Sequence, residues 1–237
     1  ANLLSLPEVQ RKQLLEGSWD IAEGAAFNEF SRDSHVVQPY DLPRAWRKFR
    51  SCDYGYSSWS VVLWMAARPD GHIVVYRELY VRKKTAGIIL EIEHKAGNEN
   101  IVYGVLDSSC WQQRGQTGPS IAETMVQRGC RWRPSDRTKG SRIAGKNELH
   151  RLLRTDEDTG EAGIEFFETC TQIIAELPQI PLDKNNPEDV NTKIDYDHGY
   201  DALRYGIMSR PVPRSVFDHN PENQIKRWQP FDQSFGY

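Results

Sequence analysis

The pattern of apolar and polar positions predicts strands first, then helices and strands in alternation. Trp46 to Tyr54, Trp59 to Ala67 and His72 to Tyr80 are three apolar-rich runs of strand length, and Pro69-Asp70-Gly71 marks a turn between the second and third. They predict an antiparallel meander. The middle run is apolar almost throughout, as a strand covered on both faces must be. Thr85 to Ala96 has helical periodicity, and Ile101 to Leu106 is a compact strand ending at Asp107. A helix over Thr117 to Arg128 and a short strand over Cys130 to Arg133 follow. Ser135 to Gly145 reads as a basic, glycine-containing loop. Lys146 to Leu153 reads as a helix, Gly163 to Phe167 as a strand, and Cys170 to Leu177 as a helix ended by Pro178. This order predicts an α/β protein with a central mixed sheet and flanking helices.

The final periodic stretch runs from Asp197 to Met208. Asp197 occupies an N-cap position, and Tyr200, Leu203 and Ile207 form an apolar stripe that would seat a helix on the sheet. Asp197 and Asp201 are four residues apart and share a helix face. The flanks carry less pattern. Leu6 to Leu15 reads as a short amphipathic helix, the following segment as an irregular connector, and the chain beyond Arg210 as a loose arm. The expected division is an N-terminal helix and connector over 1–45, the mixed-sheet domain over 46–210, and a tail over 211–237.

Net charge is only −3, so bulk charge announces no nucleic-acid partner, but its distribution is uneven. Between Arg128 and Arg154 nine basic residues face two acids, whereas from Asp156 to Asp201 thirteen acids face two lysines. This predicts a basic track beside an acidic pocket. Arg131, Arg133, Arg137, Lys139, Arg142 and Lys146 are the candidates for DNA-backbone contacts. Gly140 and Gly145-Lys146-Asn147 approach a phosphate-binding loop, but Asn147 stands where Ser or Thr should reach a metal, so no nucleotide is expected. The four cysteines are far apart without a C-x-x-C pair, which argues against a zinc cluster or disulfide framework and suits a reducing, cytoplasmic setting. No apolar run reaches transmembrane length, and no membrane partner is expected.

Asp53 and Asp107 each follow a strand, and the helix that carries Asp201 can cap a cluster of the three. Three carboxylates without cysteine form an all-oxygen donor set, which favours Mg²⁺ or Mn²⁺ over zinc. Two such ions about 3.5–4 Å apart can activate a water and stabilise a leaving oxygen in phosphodiester cleavage. His198 lies beside these acids and can take a metal or orient water. Trp59, Trp64 and Tyr76 read as core. Trp111 and Trp132 flank the acids and the basic region.

The segments "LLEGSWDIAEGAAFNEF", "CDYGYSS", "VLDSS" and "LPQIPLDKNNPEDVNTKIDYDHGYDALRY" follow one another in the order and spacing of a known family. Over about Leu6 to Pro211 the chain resembles the nuclease domain of the large terminase subunit of tailed double-stranded DNA bacteriophages. The resemblance implies a ribonuclease H-like fold and Mg²⁺- or Mn²⁺-dependent cleavage of concatemeric viral DNA during genome packaging. It implies an acidic triad of Asp53, Asp107 and Asp201, with His198 as the motif histidine and Asp197 as an auxiliary acid. The implied partners are double-stranded DNA, the portal protein, the small terminase subunit and an ATPase domain of the same polypeptide. The implied setting is the cytoplasm of an infected bacterium. With no valid Walker loop present, the expectation is a nuclease domain without its motor. The competing expectations are a junction resolvase or transposase-like phosphotransferase of related fold, and a module that docks DNA or portal without cutting.

Overall fold

In a computed structural model of the protein, the described residues are 24–87, 89, 99–113, 118–156, 159–184, 186–191 and 197–211. The predicted helix over Leu6 to Leu15, most of that over Thr85 to Ala96, and the C-terminal arm lie outside them. A four-residue helix α1 (Arg32–His35) and a two-residue strand β1 (Val36–Val37) come first. The meander follows as β2 (Arg47–Asp53), β3 (Trp59–Ala67) and β4 (Ile73–Arg82). Both pairings are antiparallel, with Cys52 opposite Val62 and Val62 opposite Leu79. The turn after β3 closes through the Arg68 N–H donating to the His72 carbonyl (2.8 Å), with Gly71 at φ 95°. A positive φ at this position is what glycine supplies without strain.

The remaining strands are β5 (Ile101–Leu106), β6 (Trp132–Pro134) and β7 (Ile164–Phe167). They complete a mixed seven-stranded sheet of order β1-β7-β4-β3-β2-β5-β6. β5 runs parallel to β2, β6 parallel to β5, and β7 parallel to β4 and β1. The expected mixed sheet is therefore present. β3 lies at its centre and is buried over all but its first residue. Gly104 in β5 lets Trp132 pack flat on the strand, since a Cβ there would sit 2.5 Å from the indole. Arg50 stacks on the same indole at 4.6 Å. Trp132 is thus core packing.

The further helices with described bounds are α2 (Ile121–Gln127), α3 (Ser141–Leu153), α4 (Thr171–Glu176) and α5 (His198–Ser209), with α3 packed on α5. α2 starts later than its periodicity suggests because Ser120 and Glu123 form a capping box there. α3 corrects a sequence expectation: Ser141 to Gly145 is helix, not loop. Gly140 enters it in the left-handed region at φ 90°. The interior Gly145 that discouraged a helical reading has a packing reason, because a Cβ there would stand 2.5 Å from the Arg204 Cγ on α5.

Candidate active site

The sheet register brings two acids together. Cys52 pairs with Leu106 across the parallel β2–β5 ladder, and the Asp107 N–H continues it to the Cys52 carbonyl at 3.0 Å. Asp53 and Asp107 therefore stand side by side where adjacent strands end, the place where open α/β sheets bind ligands. Side chains alternate along a strand, so Ser51 and Asp53 share one face of the sheet. α5 lies on that face, and Gly206 brings it close, since a Cβ at this position would meet Ser51 Oγ at 3.1 Å. Tyr200, Leu203 and Ile207 are all fully buried, as the predicted stripe requires. The first turn of α5 then hangs over the strand ends.

From that turn His198 reaches the sheet, its Nδ1 lying 2.8 Å from Asp53 Oδ2. Asp201, one turn on, accepts from Arg204 Nε (3.1 Å) and Nη2 (2.8 Å), both on Oδ1. Asp107 accepts from the Ser109 backbone N–H and from its hydroxyl. Asp197 precedes the helix and is 7% exposed.

The charges of these groups act on one another. Burial pushes the Asp53 carboxyl up, the His198 hydrogen bond pulls it back, and the Asp201 and Asp107 charges push it up again. Asp197 is pushed up to about 6 by burial and then by Asp201. His198 is raised, first by its hydrogen bond to Asp53. All three groups are thus held above their ordinary values, each by its burial or by the charges beside it, as candidate functional groups in a cleft are. Two hollows flank the cluster. One of about 340 Å³ is lined by Asp107, Ser135, Arg137, Arg142 and Arg204 among others. The other, about 250 Å³, is lined by Trp59, Tyr80, Glu176 and His198 among others.

The donor chemistry fits a hard divalent cation, because buried like charges are relieved by a positive ion and all three carboxylates offer oxygen. Among the described residues, however, no three His, Cys, Asp or Glu side chains are disposed to hold a metal ion in this conformation. In this conformation Asp53 is hydrogen-bonded to His198, Asp107 to Ser109 and Asp201 to Arg204.

The six basic candidates fall into two groups. Arg131, Arg133, Arg137 and Lys139 are exposed. Arg133 also donates to the Ser209 carbonyl (2.8 Å) and stacks on Tyr103. Arg142 pairs with Asp189 (3.1 Å). Lys146 is 7% exposed and donates to the Pro187 carbonyl at 3.1 Å. Both lie on α3 and are held against the 187–189 turn; for Arg142 this replaces the expected loop position, whereas Lys146 was read as helical.

Sequence reasoning missed Arg204 and Glu176. Arg204 is 5% exposed and sits three residues after Asp201, a spacing at which helical ion pairs form, so the signal was present. Glu176, at the end of α4, is 9% exposed, and no local pattern connects it to residues 198–201. It accepts from Tyr80 Oη (3.0 Å) and from the Tyr200 N–H (3.0 Å). Burial pushes its carboxyl up to about 7, against the pull of those hydrogen bonds. A folded-state value above the unfolded one means the folded chain holds the proton longer, so stability falls as pH rises from about 4.5 to about 7. Thermal melts should show this decline, and Glu176→Gln should flatten its upper part. An unchanged pH profile in that variant would contradict the assignment.

The fold is ribonuclease H-like: an antiparallel meander extended by parallel strands, with acids at the ends of its adjacent central strands. The chain is structurally similar to the nuclease domain of the P22 large terminase, with a TM-score of 0.64 and 19% identity over 82% of this chain and 98% of that one. It is similar to the large terminase of a thermophilic bacteriophage (TM-score 0.58, 19% identity over 84% of this chain), of which it covers 48%. It is also similar to the large terminase nuclease of thermophilic phage G20c with bound cobalt (TM-score 0.55, 14% identity over 79% of this chain and 98% of that one). The same G20c nuclease with bound zinc matches at a TM-score of 0.51. No protein-family model matches the sequence, and no curated protein matches it. Among the described residues, no helix is long and apolar enough to cross a membrane.

Proposed function

We propose that the protein is a metal-dependent endonuclease that cuts concatemeric viral double-stranded DNA during genome packaging, as the nuclease part of a large terminase. The observation that carries this reading is the meeting of Asp53 and Asp107, at the ends of adjacent parallel strands, with His198 and Asp201 from the first turn of α5. In this reading Asp53, Asp107 and Asp201 hold Mg²⁺ or Mn²⁺, with Asp197 as an auxiliary acid. Divalent metal bound there supplies a polarised water and charge neutralisation at the leaving oxygen. His198, held by Asp53, orients that water or takes part in binding. The cobalt- and zinc-bound G20c nucleases support a divalent requirement. In this reading the exposed Arg131, Arg133, Arg137 and Lys139 neutralise DNA phosphates, and Arg142, which lines the hollow beside Asp107, supports them. The large terminase of which this chain covers 48% is about twice as long as the matched part, and we assign the ATPase motor, the portal protein and the small subunit as partners on that likeness.

The test is plasmid cleavage after chelation. EDTA-treated protein should be inert, and Mn²⁺ or Mg²⁺ should restore nicking and linearisation with little sequence preference. Cleavage that persists at full rate in excess EDTA would refute the metal reading. DNA binding with no cleavage under any divalent ion would replace the nuclease with a docking module.

A further inference from the structure

α5 begins in an unusual way. Asp197 sits at its N-cap position, yet its side chain makes no capping hydrogen bond, and its backbone is helical (φ −94°, ψ −4°) rather than extended. The first N–H groups of a helix need acceptors, and a buried helix start without them is costly. Here the acceptor comes from another helix. The Glu176 carboxylate receives the Tyr200 N–H on Oε1 at 3.0 Å and is also hydrogen-bonded by the Gly199 backbone. Tyr80 Oη donates to Oε2 at 3.0 Å and fixes the carboxylate from β4. Glycine at position 199 leaves room for this seat, because a Cβ there would stand 2.5 Å from Glu176 Oε2 and would also strike Tyr80 Oη, displacing the carboxylate. A carboxylate here also faces the positive end of the α5 dipole.

We infer that Glu176 is the N-cap of α5 supplied from another helix, and that it thereby leaves the Asp197 carboxylate available to the acidic cluster. Glu176 is a positioning residue: it touches no reacting atom and acts through residues 197–201. Asp197 is 7% exposed and makes no capping hydrogen bond to α5, so its carboxylate is not spent on the helix start. Without Glu176 the orphaned N–H groups of Gly199 and Tyr200 would be open to the side chain of the N-cap residue itself. Aspartate is among the best N-cap residues, so this substitution is chemically easy. Asp197 would then turn to the helix and be lost to the cluster. This role rests on the nuclease reading for its purpose, but its geometry is tested without cleavage.

The experiment is a double-mutant cycle read by Mn²⁺ binding, using electron paramagnetic resonance to count free ion. Asp197→Asn should weaken Mn²⁺ binding about tenfold in the otherwise unchanged protein. In the Glu176→Ala background, which should itself bind Mn²⁺ about tenfold more weakly, the same Asp197→Asn change should have no further effect on binding. Equal losses from Asp197→Asn in both backgrounds would overturn the inference, since Asp197 would then be independent of Glu176. Amide hydrogen exchange gives a metal-free readout: Glu176→Ala should speed exchange at Tyr200, and unchanged protection there would also overturn it. If Glu176→Ala does not fold, Glu176→Gln keeps the shape and one acceptor oxygen and should give intermediate values in both measurements. A protein that shows the cycle in Mn²⁺ binding but cuts no DNA would sink the nuclease reading and leave the long-range cap standing.

Discussion

Asp201→Asn is expected to abolish DNA cleavage, with kcat falling about a thousandfold or more. A metal-holding carboxylate contributes several kcal/mol to stabilising charge in phosphodiester cleavage, and each 1.36 kcal/mol is tenfold in rate. Asparagine keeps the shape and one oxygen but removes the charge. The change has a second consequence in this protein. Arg204 is buried and donates twice to Asp201 Oδ1, so the substitution leaves a buried guanidinium facing a neutral amide. That should cost on the order of 1–3 kcal/mol of stability. Activity must therefore be measured well below the variant's melting temperature and beside Arg204→Lys, which disturbs the pair but keeps the acid. If Asp201→Asn, folded by circular dichroism, cuts plasmid at the wild-type rate with Mn²⁺, the triad assignment fails. Asp197→Asn should be the milder change, because Asp197 is auxiliary in this reading.

The contrast between these two acids separates what was legible in the sequence from what was not. The α5 stripe was legible because helical spacing is local, and Tyr200, Leu203 and Ile207 are buried as it requires. The β3 core strand was legible because nine consecutive residues carry almost no polar interruption. That Asp53 and Asp107 end strands was also legible. Their adjacency was not, because it depends on β2 and β5 pairing in parallel across two strands that intervene in the chain. The pattern offered that link only as a possibility of a mixed sheet, and the register gives it a physical cause. The α3 boundary was misread because Gly145 lowers helix propensity locally, and the compensating contact with Arg204 lies on another helix. Glu176 had no signal at all: a carboxylate that caps a helix from a distant element leaves nothing at capping-box spacing. Local pattern locates the elements that carry a site, whereas long-range hydrogen bonds decide which side chains are free to act.

Gly206→Val should have the largest effect on stability among changes outside the acids. Gly206 is in the middle of α5, where glycine costs about 1 kcal/mol relative to alanine in intrinsic propensity, so a reason for it must lie in packing. A Cβ there would stand 2.7 Å from Met65 Sδ, collide with its methyl group and lie 3.1 Å from Ser51 Oγ. Met65 and Ser51 belong to β3 and β2, so the clash pushes the helix away from the two strands on which it is seated. Overpacking of this kind costs about 1–3 kcal/mol, and a branched side chain falls at the upper end. At roughly 2–4 °C per kcal/mol for a domain of this size, the melting temperature should drop by about 6–12 °C. Cleavage should fall further than stability alone predicts. His198 and Asp201 ride on α5 while Asp53 stays on the sheet, and a misplacement of about 1 Å at a reacting centre can cost a hundredfold. Met65→Ala in the Gly206→Val background supplies the test, because it removes the atoms that valine strikes. The two changes should be non-additive, with the double variant about 1–3 kcal/mol more stable than the sum of the singles and with part of the cleavage rate restored. Strict additivity would mean that Gly206 is not what sets the distance between α5 and the sheet.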